Sequence, residues 1–104
     1  MNIIISCLNW KNSLLKQLYL EKYNLVNEEI SGLFQYYMNK ELVNNLEIIS
    51  FAGNNITKVD FSDFQLNVIY KNLIEINFKK NKLYKFIYNL ENFPKIKFIN
   101  CSKK

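Results

Sequence analysis

A chain of 104 residues with 49% hydrophobic and 15% aromatic side chains has enough apolar material for one small core, which argues for a single domain and against disorder. Its net charge of +5 comes from lysine without any arginine and is lopsided: residues 1–70 hold 5 Lys against 7 acids, residues 71–104 hold 9 Lys against 2. No apolar run reaches the roughly 18 residues that cross a bilayer, and the opening MNIIISCLNWK lacks both a charged leader and a long apolar stretch. The chain is therefore expected to be soluble and unexported, with no membrane partner. Cys7 and Cys101 are the only cysteines, far apart, which suits a reducing cytoplasmic setting with both thiols buried as small apolar groups. Glycosylation sequons at Asn55 and Asn100 carry little weight in a chain this rich in asparagine.

Residues 1–14, with Ile3, Ile4, Ile5, Cys7, Leu8 and Trp10, read as an N-terminal cap built from a short strand or covering loop. From Ser13 the run SLLKQLYLEKYNL admits two readings. As a helix it would present Leu14, Leu15, Leu18 and Leu25 as a stripe; as an extended unit it starts at Leu15. The next stretch favours the second reading. There Ile30, Leu33, Phe34 and Tyr37 recur at helical spacing behind Glu28 and Glu29, acids that suit a first helical turn, with Asn27 as the N-cap. Residues 15–45 then form one unit of strand, turn, helix and turn.

Residues 46–72 open with Leu46, Ile49, Phe51, Asn54, Ile56 and Val59, turn at Gly53-Asn54-Asn55, and return less regularly through Phe61, Phe64, Leu66, Val68 and Ile69. Residues 73–95 place Leu73, Ile76, Phe78, Asn81, Leu83 and Phe86 at the same offsets, 73 − 46 = 27 residues later. This unit returns through Phe86, Ile87, Leu90 and Phe93 to the only proline, Pro94, which ends any helix there. Upstream, Leu15, Leu18, Leu20 and Leu25 fit the pattern with Tyr23 in the asparagine position. Downstream, Ile96, Ile99 and Cys101 repeat its first three positions, so residues 96–104 read as half a unit.

The segments LEIISFAGNNI at 46–56 and LIEINFKKNKL at 73–83 resemble the leucine-rich repeat, whose hallmark is L-x-x-L-x-L-x-x-N-x-L. The unit from Leu15 resembles the longer, ribonuclease-inhibitor-like type and departs from it at Tyr23. The resemblance implies an α/β fold: a short solenoid of about three and a half repeats, with a curved parallel sheet and helices or irregular returns on the convex side. Physically, alternate residues of each short strand point inward, successive strands pair in parallel, and a buried asparagine satisfies the turn's backbone groups. Asn54 and Asn81 should therefore form a ladder.

Catalysis lacks its parts. The chain has no histidine, which removes Ser-His and Cys-His pairs and the commonest zinc ligand, and two distant cysteines complete no zinc site. Gly32 and Gly53 are the only glycines, too few for a phosphate-cradling loop. The pairs Glu28-Glu29 and Asp60/Asp63 read as solvated charges at a helix start and in a turn. No enzyme activity, cofactor, metal or small-molecule substrate is expected.

Function is expected on the strand face opposite the core, where residues between the leucines stack into columns. The columns hold Gln17, Ile48, Glu75 and Phe98; Tyr19, Ser50, Asn77 and Asn100; Glu21, Ala52, Lys79 and Ser102; and Lys22, Gly53, Lys80 and Lys103. Ile48, Phe98 and Tyr19 beside lysines suggest docking of a protein segment. The alternative is RNA or a ribonucleoprotein held by Lys79, Lys80, Lys82, Lys85, Lys95, Lys97, Lys103 and Lys104, with Tyr84, Phe86 and Tyr88 interleaved. Absence of arginine weakens that alternative, and codon composition is a further explanation for the lysines. The half unit at 96–104 should leave an open strand edge that a partner or another chain covers.

Overall fold

The computed structural model describes residues 15–34, 45–61 and 69–102. The expectations for residues 1–14, for Tyr37, for Phe64, Leu66 and Val68, and for Lys103 and Lys104 lie outside this set. In chain order the elements are β1 (Gln17–Tyr19), α1 (Asn27–Gly32), β2 (Ile48–Ser50), β3 (Lys58–Asp60), β4 (Glu75–Asn77), β5 (Lys85–Ile87), a 3₁₀ turn (Leu90–Asn92) and β6 (Phe98–Asn100). The fold is a small mixed α/β arrangement with two parallel sheets and little helix.

The larger sheet has the order β1-β2-β4-β6. Its register aligns Leu18, Ile49, Ile76 and Ile99, with Gln17, Ile48, Glu75 and Phe98 on one side and Tyr19, Ser50, Asn77 and Asn100 on the other. These are the columns expected from the spacing, and their cause is the two-residue period of a strand. Leu18, Ile49 and Ile76 point into the core and are buried, as are Leu20, Phe51 and Phe78 two residues further on. A slip of one residue would expose all six, so burial holds the register.

Two further strands were not expected, since Val59 stood only as a spaced apolar position and Phe86 and Ile87 as part of a return. β3 and β5 pair in parallel as a second sheet, aligning Val59 with Phe86. Both segments alternate: Val59 is buried between the half-buried Lys58 and Asp60, and Phe86 packs on the core between the exposed Lys85 and Ile87. That alternation and the β-branched and aromatic side chains favour a strand over a helical return. The first return holds α1, which spans six residues with Ile30 buried. Its N-cap is Val26 rather than Asn27. Valine offers no side-chain acceptor, so the help comes from Glu29, whose carboxylate accepts the Val26 N–H at 3.1 Å. Asn27, one residue inside, works elsewhere: its Oδ1 accepts from the N–H groups of Thr57 and Lys58 at 2.9 and 3.2 Å, and its Nδ2 donates to Thr57 Oγ1 at 3.0 Å. It ties the helix start to the start of β3.

The core between the layers is mostly aliphatic, with a cluster of six buried aromatic rings among the described residues. Phe51 and Phe78, at equivalent positions of adjacent strands, stack with centroids 5.6 Å apart. Phe34 meets Phe61 edge-on at 4.9 Å, and Tyr70 stacks on Phe93 at 5.1 Å. Such ring pairs contribute about 0.5–1.5 kcal/mol each beyond their area burial. Tyr70 is fully buried, and desolvation pushes its phenol above the ordinary tyrosine range. Leu90, on the return, is 63% exposed at the start of the 3₁₀ turn.

The asparagines close the sheet's turns. Asn54 Oδ1 accepts the N–H groups of Tyr23 and Leu25 at 2.9 and 3.0 Å, and its Nδ2 donates to the carbonyls of Leu20 and Phe51 at 2.8 and 2.7 Å. Asn81 has the matching set: it accepts from Ile56 N–H at 3.0 Å and donates to the carbonyls of Phe51 and Phe78 at 2.9 and 3.1 Å. Each amide thus clamps its own turn to the preceding one. Both residues are buried, so truncation strands backbone groups away from water. Asn81→Ala is expected to lower the unfolding free energy by about 1–3 kcal/mol in a urea titration, while the exposed neighbour change Asn55→Ala should stay within about 0.5 kcal/mol. Equal effects of the two would contradict the clamp.

Candidate binding surface

The strand face opposite the core carries the expected columns, with a shape the spacing alone did not give. Tyr19 on β1 and Phe98 on β6 are 51% and 57% exposed, and they stand on the two outer strands of the sheet. Three strand spacings of about 4.8 Å place the two strands roughly 14 Å apart, and the two residues are further offset along them because Tyr19 is level with Asn100. Between them stand Ile48, Ser50, Glu75 and Asn77, one apolar residue among polar ones. Ile48 and Glu75 are half-buried within the first column, and Asn77 is half-buried in the second. Gln17 is exposed and its Oε1 accepts from the Tyr19 hydroxyl at 3.0 Å, which orients the ring.

Ser50 departs from expectation. It is 1% exposed and is not part of the free surface. Its register neighbours are the longer Tyr19 and Asn77, and its hydroxyl donates to the half-buried Glu21 carboxylate. Asn77 and Asn100 serve partly as turn residues: their Oδ1 atoms accept the N–H of Lys79 at 2.8 Å and of Ser102 at 3.0 Å. This leaves their NH₂ groups as the donors offered to a ligand. An asparagine at a strand end two residues before a turn is the signal that could have revealed this role.

The lysines do not form one patch. In a parallel sheet all strand starts lie along one rim and all strand ends along the other. Lys95 and Lys97 precede β6 and lie on the starting rim, with Lys95 Nζ donating to Asn72 Oδ1 at 3.4 Å. Lys79, Lys80 and Lys82 follow β4 on the finishing rim, and Lys85 sits on the second sheet; all six are exposed. Tyr84 is 72% exposed and Tyr88 37%, whereas Phe86 packs on the core and is unavailable for stacking. Lys103 and Lys104 lie outside the described residues.

Cys101 was expected to be buried and is exposed. Its equivalents Leu20, Phe51 and Phe78 are covered by the strand that follows each of them, and among the described residues no strand follows β6. The packing that remains on its inner side still desolvates the thiol and raises its pKa. Among the described residues no group of three or more His, Cys, Asp or Glu could hold a metal ion, and no helix is long and apolar enough to cross a membrane. No family model, curated protein or solved structure matches the chain.

The finishing rim is also conformationally costly. Lys22, Gly53 and Lys80 occupy one position of the successive turns, and all three are left-handed, with φ of 60°, 72° and 61°. Only Gly53 suits that region without penalty, and a Cβ there would also meet Lys22 Cγ at 3.0 Å. A non-glycine residue held left-handed costs roughly 1–2 kcal/mol, offset in part by the chain entropy that glycine adds to the unfolded state. Lys80→Gly is therefore expected to raise the unfolding free energy by about 0.5–1 kcal/mol in urea, and Gly53→Ala to lower it by about 1 kcal/mol or more. Loss of stability in Lys80→Gly would mean that the lysine stem packs on the fold.

Proposed function

We propose that the chain is a non-catalytic binding module of leucine-rich-repeat type, about three and a half units long, that grips a segment of another protein across its strand face. The common register of four strands, the asparagine at one position of two turns and the shared left-handed turn position support the repeat reading. One observation carries the binding reading: two large aromatic side chains, each half exposed, stand on the outer strands of a face whose middle holds Ile48, Ser50, Glu75 and Asn77. Exposed aromatic anchors with charged residues at the border are the usual pattern of a protein-binding hot spot. Lys79 and Glu21 supply that border.

Capture of partners from the native cell on immobilised protein, with and without nuclease, tests this function. The captured protein should survive nuclease treatment and change little between low and physiological salt. The combined change Tyr19→Ala and Phe98→Ala should weaken it by about 30-fold or more, the scale of losing a hot-spot anchor. Release by nuclease, a steep salt dependence, and loss on neutralising Lys79, Lys80 and Lys82 together would replace this reading with the RNA or ribonucleoprotein one.

A further inference from the structure

We infer that the outer edge of β6 accepts an added parallel strand, supplied by an extended segment of another polypeptide with acidic residues at both of its ends. This rests on the binding-module reading and narrows it to one edge and one partner chemistry. The backbone bonds of the larger sheet follow a rule that can be carried one strand further. At the starting rim the Lys16 carbonyl accepts from Glu47 and Ile48 N–H at 2.7 and 3.2 Å. The Glu47 carbonyl accepts from Ile74 and Glu75 at 2.8 and 3.2 Å, and the Ile74 carbonyl from Lys97 and Phe98 at 2.8 and 3.0 Å. At the finishing rim Leu20 N–H donates to Ser50, Phe51 N–H to Asn77 and Phe78 N–H to Asn100, at 2.9, 2.7 and 2.7 Å. The next acceptor and donor in this series are the Lys97 carbonyl and the Cys101 N–H, and among the described residues neither has a backbone partner.

The side chains of that edge repeat the message. Ile99 is half-buried where its register equivalents Leu18, Ile49 and Ile76 are buried, and Cys101 is exposed where Leu20, Phe51 and Phe78 are buried. An added strand would close the core over both. Exposed edges of this kind pair with extended peptides through main-chain hydrogen bonds. Charge decides which peptide. A strand laid along β6 runs from the rim of Lys95 and Lys97 to the rim of Lys79 and Lys80, all exposed. From residue 71 onward only Glu75 and Glu91 oppose them. Acidic residues at both ends of the guest complement both rims. A second copy of this chain, paired edge to edge, would bring these lysines against one another, which opposes self-association.

The test titrates the chain 1–104 with a blocked peptide of about nine residues, alternating valine and threonine with glutamates at each end, long enough to span β6 and both rims. It should bind and shift the backbone amide resonances of Phe98, Ile99, Asn100 and Cys101. The same peptide N-methylated on alternate residues, so that one edge loses its donors, should bind about tenfold more weakly or worse, as should a version flanked by lysines. Cys101→Pro removes an N–H that has no partner among the described residues and should cause the same loss, while Cys101→Ala, which keeps the N–H and an apolar side chain, should bind within about threefold of the parent. The methylated peptide leaves the protein unaltered, so a folding defect in the proline variant does not blur the result. No binding, binding indifferent to N-methylation, or a dimer that excludes the peptide and is dispersed by Cys101→Pro would each overturn the proposal. Should the peptide fail while Tyr19→Ala with Phe98→Ala still releases the captured protein, the edge is wrong and the binding-module reading stands; the reverse outcome leaves the edge and discards the face.

Discussion

Asn54 and Asn81 are the points on which the larger sheet depends. Each sits at the end of a strand, buried, and exchanges hydrogen bonds in both directions: carbonyl oxygen to the N–H of the turn before it, amide N–H to carbonyls of that turn and its own. Leu25 and Ile56, whose N–H groups these oxygens accept, are buried and have no access to water. A strand that ended without such a clamp would leave several buried backbone groups unpaired, at about 1–3 kcal/mol each. The apolar side chains supply most of the burial, but hydrophobic contact is non-directional. The amides supply direction and hold each turn at a fixed height above the last, so that Leu18, Ile49, Ile76 and Ile99 fall into one line.

Much of this was legible because strand period and turn chemistry act locally. Offsets shared by Leu46 to Val59 and Leu73 to Phe86 gave the strand positions and the register, and the two asparagines stood out at one offset. The helix position was legible from Ile30, Leu33 and Phe34, but its cap was not. Asn27 has the right chemistry for an N-cap, yet two backbone N–H groups of the β3 start compete for its side chain and hold it inside the first turn. The second sheet was missed for a related reason: three-residue strands at 58–60 and 85–87 carry too little pattern to stand out, and only their pairing with each other makes them strands. Ser50 and Cys101 were misjudged because exposure depends on neighbours. A serine between long side chains is covered, and a cysteine beyond the last strand is not.

The candidate binding features lie where the structural rule is incomplete. The core needs residues at fixed offsets and leaves the residues between them open to variation, so Tyr19 and Phe98 can stand on the face as exposed aromatics. Lys22 and Lys80 hold a left-handed conformation that glycine would adopt at lower cost, as Gly53 does between them. Strain kept beside a candidate binding rim is consistent with a role for the side chain there. The sheet's last strand meets no successor among the described residues, and the half-covered Ile99 and open Cys101 mark the same end.

Amide hydrogen exchange measured residue by residue in the free protein tests the clamp most directly. Ile56, Leu25 and Tyr23 donate their N–H groups to the asparagine side chains and to no strand, so nothing but the clamp accounts for protecting them. If the amides hold the turns together, Ile56 and Leu25 should exchange only through global unfolding, as slowly as the core amides of Phe51 and Phe78. Exchange of Ile56 and Leu25 at the rate of an exposed turn amide such as Lys82, with Phe51 and Phe78 still protected, would contradict the account.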